Sequence, residues 1–148
     1  MIKVTKKLLM ISFLFFSALI HAETPYSISI FTASKDFSTL SSGKAKILFQ
    51  GKIKRLDRKS YSLVDWPPGS KTKKDFYKTL INQSEARVNA TRAKLIFSGK
   101  GFPPKEMKEN NYKTLEKYLR AHKNSIGYAP SSEISKDLTI LFTIQVGK

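Results

Sequence analysis

The stretch Val64-Asp-Trp-Pro-Pro-Gly-Ser-Lys-Thr-Lys-Lys74 decides the reading of this chain. Ser60 to Asp65, with Tyr61, Leu63 and Val64, reads as a strand. Two prolines and a glycine then end the strand and force a loop. Ser70 is a good N-cap, because a serine hydroxyl accepts from an amide of the first helical turn. Beyond it Phe76 pairs with Leu80 and Tyr77 with Ile81 at i, i+4 spacing, one apolar helix face. The expected helix runs from Lys71 to Ile81. A strand passing through a tight loop into a helix is the unit from which α/β domains are built.

The rest of the chain supports that class. Tyr26 to Phe31 alternates and reads as a strand, whereas Ser34 to Ser42 is polar and ambiguous. Ala45 to Phe49 has helical character and stops at Gly51, and basic Lys52 to Lys59 reads as a loop or turn. Ser84 caps a further helix with apolar positions Val88, Ala93, Leu95, Ile96 and Phe97, ended by Ser98-Gly-Lys-Gly-Phe-Pro-Pro104. Glu106 and Glu109, with Lys105 and Lys108, read as a solvated helix start. Tyr112, Leu115, Tyr118 and Leu119 mark another helix, and Ile126-Gly-Tyr128 a short buried strand before a turn at Pro130. Leu138, Ile140, Phe142, Ile144 and Val146 alternate with Thr139, Leu141, Thr143 and Gln145, the pattern of a half-buried strand near an edge. The expected fold is α/β: a small mixed sheet flanked by helices.

The N-terminus reads as an export signal. Lys3, Lys6 and Lys7 precede an apolar run from Leu8 to Ile20, and Ala22 offers a small residue for cleavage. The run is shorter than the roughly 20 residues that span a bilayer. The expected organisation is a signal peptide over 1–22 and one domain over 23–148, periplasmic and with no stable membrane insertion after cleavage. No cysteine is present, so disulfide and thiolate chemistry are excluded. Without the three signal lysines, 24 Lys and Arg face 11 Asp and Glu, a net charge near +13. Such a field attracts anions. The basic residues are scattered rather than gathered in one arm, and export argues against nucleic acid as partner.

Catalytic signatures are scarce. His122 is the only histidine after the signal, no His/Asp/Glu cluster has metal-ligand spacing, and no nucleophile elbow or nucleotide P-loop is present. The expectation is no enzyme, no metal and no cofactor. One constellation has a mechanism. The first amides of the helix after Gly69 lack intrahelical partners and lie at the positive end of its dipole. Ser70 and Thr72 add hydroxyls, and Lys71, Lys73 or Lys74 add charge, so this terminus suits an oxyanion. Ser70 acting as a cap alone is the competing reading. Trp66 and Phe102 each precede two prolines, and exposed aromatics of this kind anchor interfaces; rings buried as loop anchors are the alternative.

Ile47-Leu-Phe-Gln-Gly-Lys-Ile53 resembles the IFxGKI segment of periplasmic phosphate-binding proteins, the substrate-binding components of phosphate ABC transporters. Gly69-Ser70-Lys71-Thr72 lies where that family has its Gly-Ser-Gly-Thr phosphate loop. Ser125-Ile-Gly-Tyr-Ala129 is similar to the family's IGYV segment, and Leu95 to Lys105 to a segment of its short, single-domain members. The resemblance implies one lobe of a type 2 periplasmic binding protein. It also implies phosphate or a related oxyanion as ligand of Gly69, Ser70, Lys71 and Thr72. Two positions depart: Trp66 stands where the family has an arginine, and Lys71 where it has a second glycine. The family closes two lobes on its ligand, and this chain is about half that length. The other reading is an interaction or sensory accessory module of the same fold, serving a transporter or sensor protein of the envelope.

Overall fold

The structure, a computed structural model, describes residues 24–147. The basic and apolar N-terminal segment, with Ala22, lies outside the described residues. Chain order gives β1 (Tyr26–Thr32), α1 (Ser42–Phe49), β2 (Arg55–Leu56), β3 (Lys59–Ser60), β4 (Ser62–Asp65) and α2 (Lys71–Ile81). Then come α3 (Glu85–Phe97), β5 (Lys105–Glu106), α4 (Tyr112–Ala121), β6 (Ser125–Pro130), a 3-10 turn (Ser131–Glu133) and β7 (Thr139–Val146).

The main sheet has the order β5-β4-β6-β1-β7. β4 runs parallel to β5 and β6, whereas β1 runs antiparallel to β6 and β7, so the sheet is mixed. Helices cover both faces, and β6 shows why. Its residues from Ser125 to Ala129 are all buried, as expected of a central strand packed on both sides. Gly127 faces α4, where a Cβ would meet Leu119 at 3.3 Å, so glycine permits the close approach. Tyr128, pointing the other way, stacks on Phe76 of α2 with ring centroids 3.7 Å apart. Phe49 of α1 sits edge-on to both rings at 4.8 and 5.6 Å.

Helix α2 has the bounds expected from its cap and its i, i+4 pairs. Its entry loop explains Gly69. The Ser70 amide donates to the Pro67 carbonyl at 3.2 Å, and Gly69 has φ +76°. That is a turn with proline at its first central position and glycine at the second, where positive φ is required.

Other expectations need correction. The expected turn within 52–59 falls at Asp57 and Arg58, with φ 50° and 66°, but short strands flank it: β2 pairs with β3 as a hairpin over residues 55–60. Both central residues at positive φ give the turn whose twist matches a two-residue hairpin. Lys105 and Glu106 are not a helix start; they pair as β5 beside Val64 and Asp65. Alternation along β7 also slips. Its register with β1 shifts between Ile30 and Phe31, leaving Leu141 between the paired residues Ile140 and Phe142. This bulge turns Leu141 into the core and leaves Ile140 exposed, because one extra residue reverses the face of those that follow. As expected, β7 is an edge strand.

Phe76 is wholly buried between Phe49, Tyr77 and Tyr128. Replacing Phe76 with alanine should cost about 3–5 kcal/mol of unfolding free energy, read from urea denaturation. A loss below about 1 kcal/mol would contradict this packing.

Candidate functional site

Strand β4 ends on a carboxylate, Asp65, that is almost completely buried. A buried carboxylate is costly unless paired and hydrogen-bonded. Three other elements and the next backbone amide supply the partners. Asp65 Oδ2 accepts from the Tyr77 hydroxyl of α2 at 2.8 Å and from Arg92 Nη1 of α3 at 3.1 Å. Lys73 Nζ of α2 lies 3.5 Å from the same oxygen. Oδ1 accepts from the Tyr128 hydroxyl of β6 and from the Trp66 amide at 3.2 Å. Arg92 Nη2 also donates to the Phe49 carbonyl of α1 and to the Tyr77 hydroxyl, both at 2.7 Å.

Lys73 extends this network toward the α2 N-terminus. Its side chain is 1% exposed, and Nζ also approaches Glu106 Oε2 of β5 at 2.9 Å and Glu85 Oε1 of α3 at 3.3 Å. Glu85 Oε2 in turn accepts from the Gly69 amide at 3.1 Å. A carboxylate of the chain itself therefore sits on the amide that begins the expected anion site.

The sequence-derived site residues fall around this arrangement. Ser70 is the N-cap of α2, and its Oγ accepts from the Lys73 amide at 3.4 Å. Lys71 turns away toward Asp75 Oδ2 at 2.5 Å, with its ammonium 5.5 Å from the centre of the Tyr26 ring. Thr72 is half-buried in the first turn. Lys73, rather than Lys71 or Lys74, is the lysine that points inward. Trp66 is 4% exposed, and its Nε1 donates to the Tyr128 carbonyl at 2.6 Å. It is a loop anchor, which corrects the expectation of an exposed ring. Phe102 is 77% exposed. His122 is exposed at the end of α4, its Nδ1 3.0 Å from the Tyr118 carbonyl. Among the described residues, no group of His, Cys, Asp and Glu is placed to hold a metal.

Arg92 escapes a reading by residue type, which treats charged helix positions as solvated. Its signal was its spacing, four residues after buried Val88 on the same face of α3. Phe97, by contrast, is no core position, being 93% exposed at the helix end.

Several solved chains share this fold, two phosphate-transport proteins among them. One is an ABC-type phosphate transport receptor from Vibrio cholerae, with TM-score 0.59 and 10% identity, covering 79% of this chain and 46% of that one. The other is described as a phosphate ABC transporter substrate-binding protein with bound phosphate, from Clostridium perfringens. It has TM-score 0.59 and 15% identity, covering 79% of this chain and 44% of that one. The fold is an α/β lobe like those of type 2 periplasmic binding proteins. The chain spans less than half the length of either match. No family model matches the chain. No curated protein matches it either. Among the described residues no helix is long and apolar enough to cross a membrane.

The network carries a pH signature. Burial first, then the neighbouring Asp65, pushes the Tyr77 hydroxyl well above its ordinary 10.0. Burial, then Tyr77 and Asp65, does the same for Tyr128. Burial opposes the charge on Lys73, but Asp65, Glu106 and Glu85 together outweigh it and raise its pKa above 10.5. The folded chain thus keeps protons that the unfolded chain releases near pH 10. Stability from these groups is fully present below the unfolded values and is lost as pH rises through the folded ones. Urea unfolding should show a falling free energy above about pH 10, and the Tyr77→Phe variant should lose part of that fall. A free energy that rises over this range would contradict the network.

Proposed function

We propose that the chain is an accessory module of the cell envelope, exported as one domain over residues 23–148, with the fold of one phosphate-receptor lobe and without tight phosphate capture of its own. The observation that supports this is the Glu85 carboxylate on the Gly69 amide. An oxyanion at the α2 N-terminus would compete with a carboxylate tethered in place. Lys73 offers little further attraction, since Asp65, Glu85 and Glu106 already surround it. Trp66 supplies no guanidinium, and Arg92 is committed to Asp65. A single lobe also leaves any bound ion open to water, which weakens charge-assisted bonds.

A second reading keeps phosphate or a related oxyanion as ligand of Gly69, Ser70, Lys71 and Thr72. Two observations favour it. The Ser70 and Thr72 residues remain at the first turn of α2, and the Clostridium perfringens protein of the same fold is described with bound phosphate. In this reading Glu85 is displaced on binding, and a second chain completes the pocket.

Isothermal titration of the exported protein with phosphate, sulfate and other anions separates the two. The accessory reading predicts no saturable binding at micromolar phosphate. It also predicts that Glu85→Ala, by freeing the Gly69 amide and one face of Lys73, tightens phosphate binding about tenfold or more. Micromolar binding by the unaltered chain, abolished by Ser70→Ala with Thr72→Ala, would overturn it in favour of capture.

A further inference from the structure

The far end of α3 carries a surface that the anion site does not use. Glu85 begins this helix and Phe97 ends it, so at about 1.5 Å per residue the two ends lie roughly 20 Å apart. At the far end the chain closes α3 with paired bonds: the Gly99 amide donates to the Ile96 carbonyl at 3.0 Å and the Lys100 amide to the Leu95 carbonyl at 2.8 Å. Gly99 takes φ +67°. This is a Schellman ending, which stops the helix sharply and fixes the loop that follows. Phe97 is left 93% exposed just before it and Phe102 77% exposed just after it, with Ile96 partly exposed beside them.

The segments that carry these rings are rich in basic residues. Residues 86–105 hold Arg87, Arg92, Lys94, Lys100 and Lys105 and no acidic residue. Residues 37–56 hold five further basic residues and again no acidic one. The fold brings the two stretches together. A Cβ on Gly101 would meet Leu95 at 3.2 Å and the Gly51 carbonyl at 3.5 Å, and Lys54 Nζ donates to the Gly99 carbonyl at 2.8 Å. Among the described residues, Lys52, Lys94 and Lys100 have no acidic partner.

We propose that Phe97 and Phe102, together with Lys52, Lys54, Lys94 and Lys100 of the two adjoining basic segments, dock this protein on an anionic phospholipid bilayer. The inference rests on the accessory reading in one respect, that the protein acts by docking, and it names the docking surface. Protruding rings within a field of unpaired lysines match an interfacial anchor: the rings enter the headgroup boundary and the ammonium groups meet lipid phosphates. A bilayer needs no complementary wall, whereas a protein partner would have to enclose a ring that stands almost clear of its own chain.

The test uses the protein as recovered after export, with its N-terminus fixed by mass spectrometry. Co-sedimentation is measured with phosphatidylcholine vesicles and with vesicles in which about a third of the lipid is phosphatidylglycerol. The expected result is binding to the anionic vesicles only, weakening as salt is raised. The Phe97→Ser/Phe102→Ser variant should bind at least about tenfold more weakly, with an unchanged melting temperature because both rings are exposed. The Lys94→Glu/Lys100→Glu variant should lose binding as well. Equal binding by the serine variant, or no preference for anionic vesicles, would overturn the proposal. So would retention by an acidic polypeptide, depending on the same two rings, where vesicles retain nothing; that outcome would make the face a protein interface. Phosphate titration is read separately, so a failed vesicle result leaves the reading of Glu85 standing.

Discussion

Everything in this structure turns on the buried carboxylate of Asp65. It ends β4, and Lys73, Tyr77, Arg92 and Tyr128 converge on it from α2, α3 and β6. Breaking such a pair by removing one partner typically costs about 3–5 kcal/mol, because the remaining charge stays buried. The network therefore fixes how α2 and α3 sit over the sheet. It also holds the strand-loop-helix corner in one geometry, and the Phe49–Phe76–Tyr128 ring cluster packs directly beside it.

The same network sets the chemistry at the helix terminus. Its outer limb is Lys73 with Glu106 and Glu85, and Glu85 ends on the Gly69 amide. A loop of this shape is ready-made for an anion. In this chain it already has one, supplied in cis by the first residue of α3. A shared fold is thus compatible with a different use of the site, since function resides in particular side chains and not in the architecture.

How much could be read from the sequence follows from how local each signal is. Helix α2 was legible because Ser70, Gly69 and the pairs Phe76–Leu80 and Tyr77–Ile81 are neighbours in sequence. Strand β5 was not, because Lys105 and Glu106 have no apolar pattern and become a strand only through the backbone of Val64 and Asp65. The burial of Lys73 and Arg92 was hidden for a similar reason: each is buried by partners distant in sequence, whereas Phe97 is apolar and yet faces water. The loop residues Gly69, Ser70, Lys71 and Thr72 were found as a segment, but the group that meets the Gly69 amide, Glu85, was not, since nothing near it in sequence marks that contact. The β7 alternation broke at Leu141 because a bulge is set by the register with β1, which no single strand reveals.

The most direct measurement is the backbone amide signal of Gly69 in a two-dimensional nitrogen–proton NMR spectrum, followed at neutral pH as phosphate is added to millimolar concentration. With the Glu85 carboxylate already bonded there, the account predicts that the signal stays in place in the unaltered chain and shifts saturably in Glu85→Ala. A saturable shift of Gly69 in the unaltered chain at micromolar phosphate would contradict it.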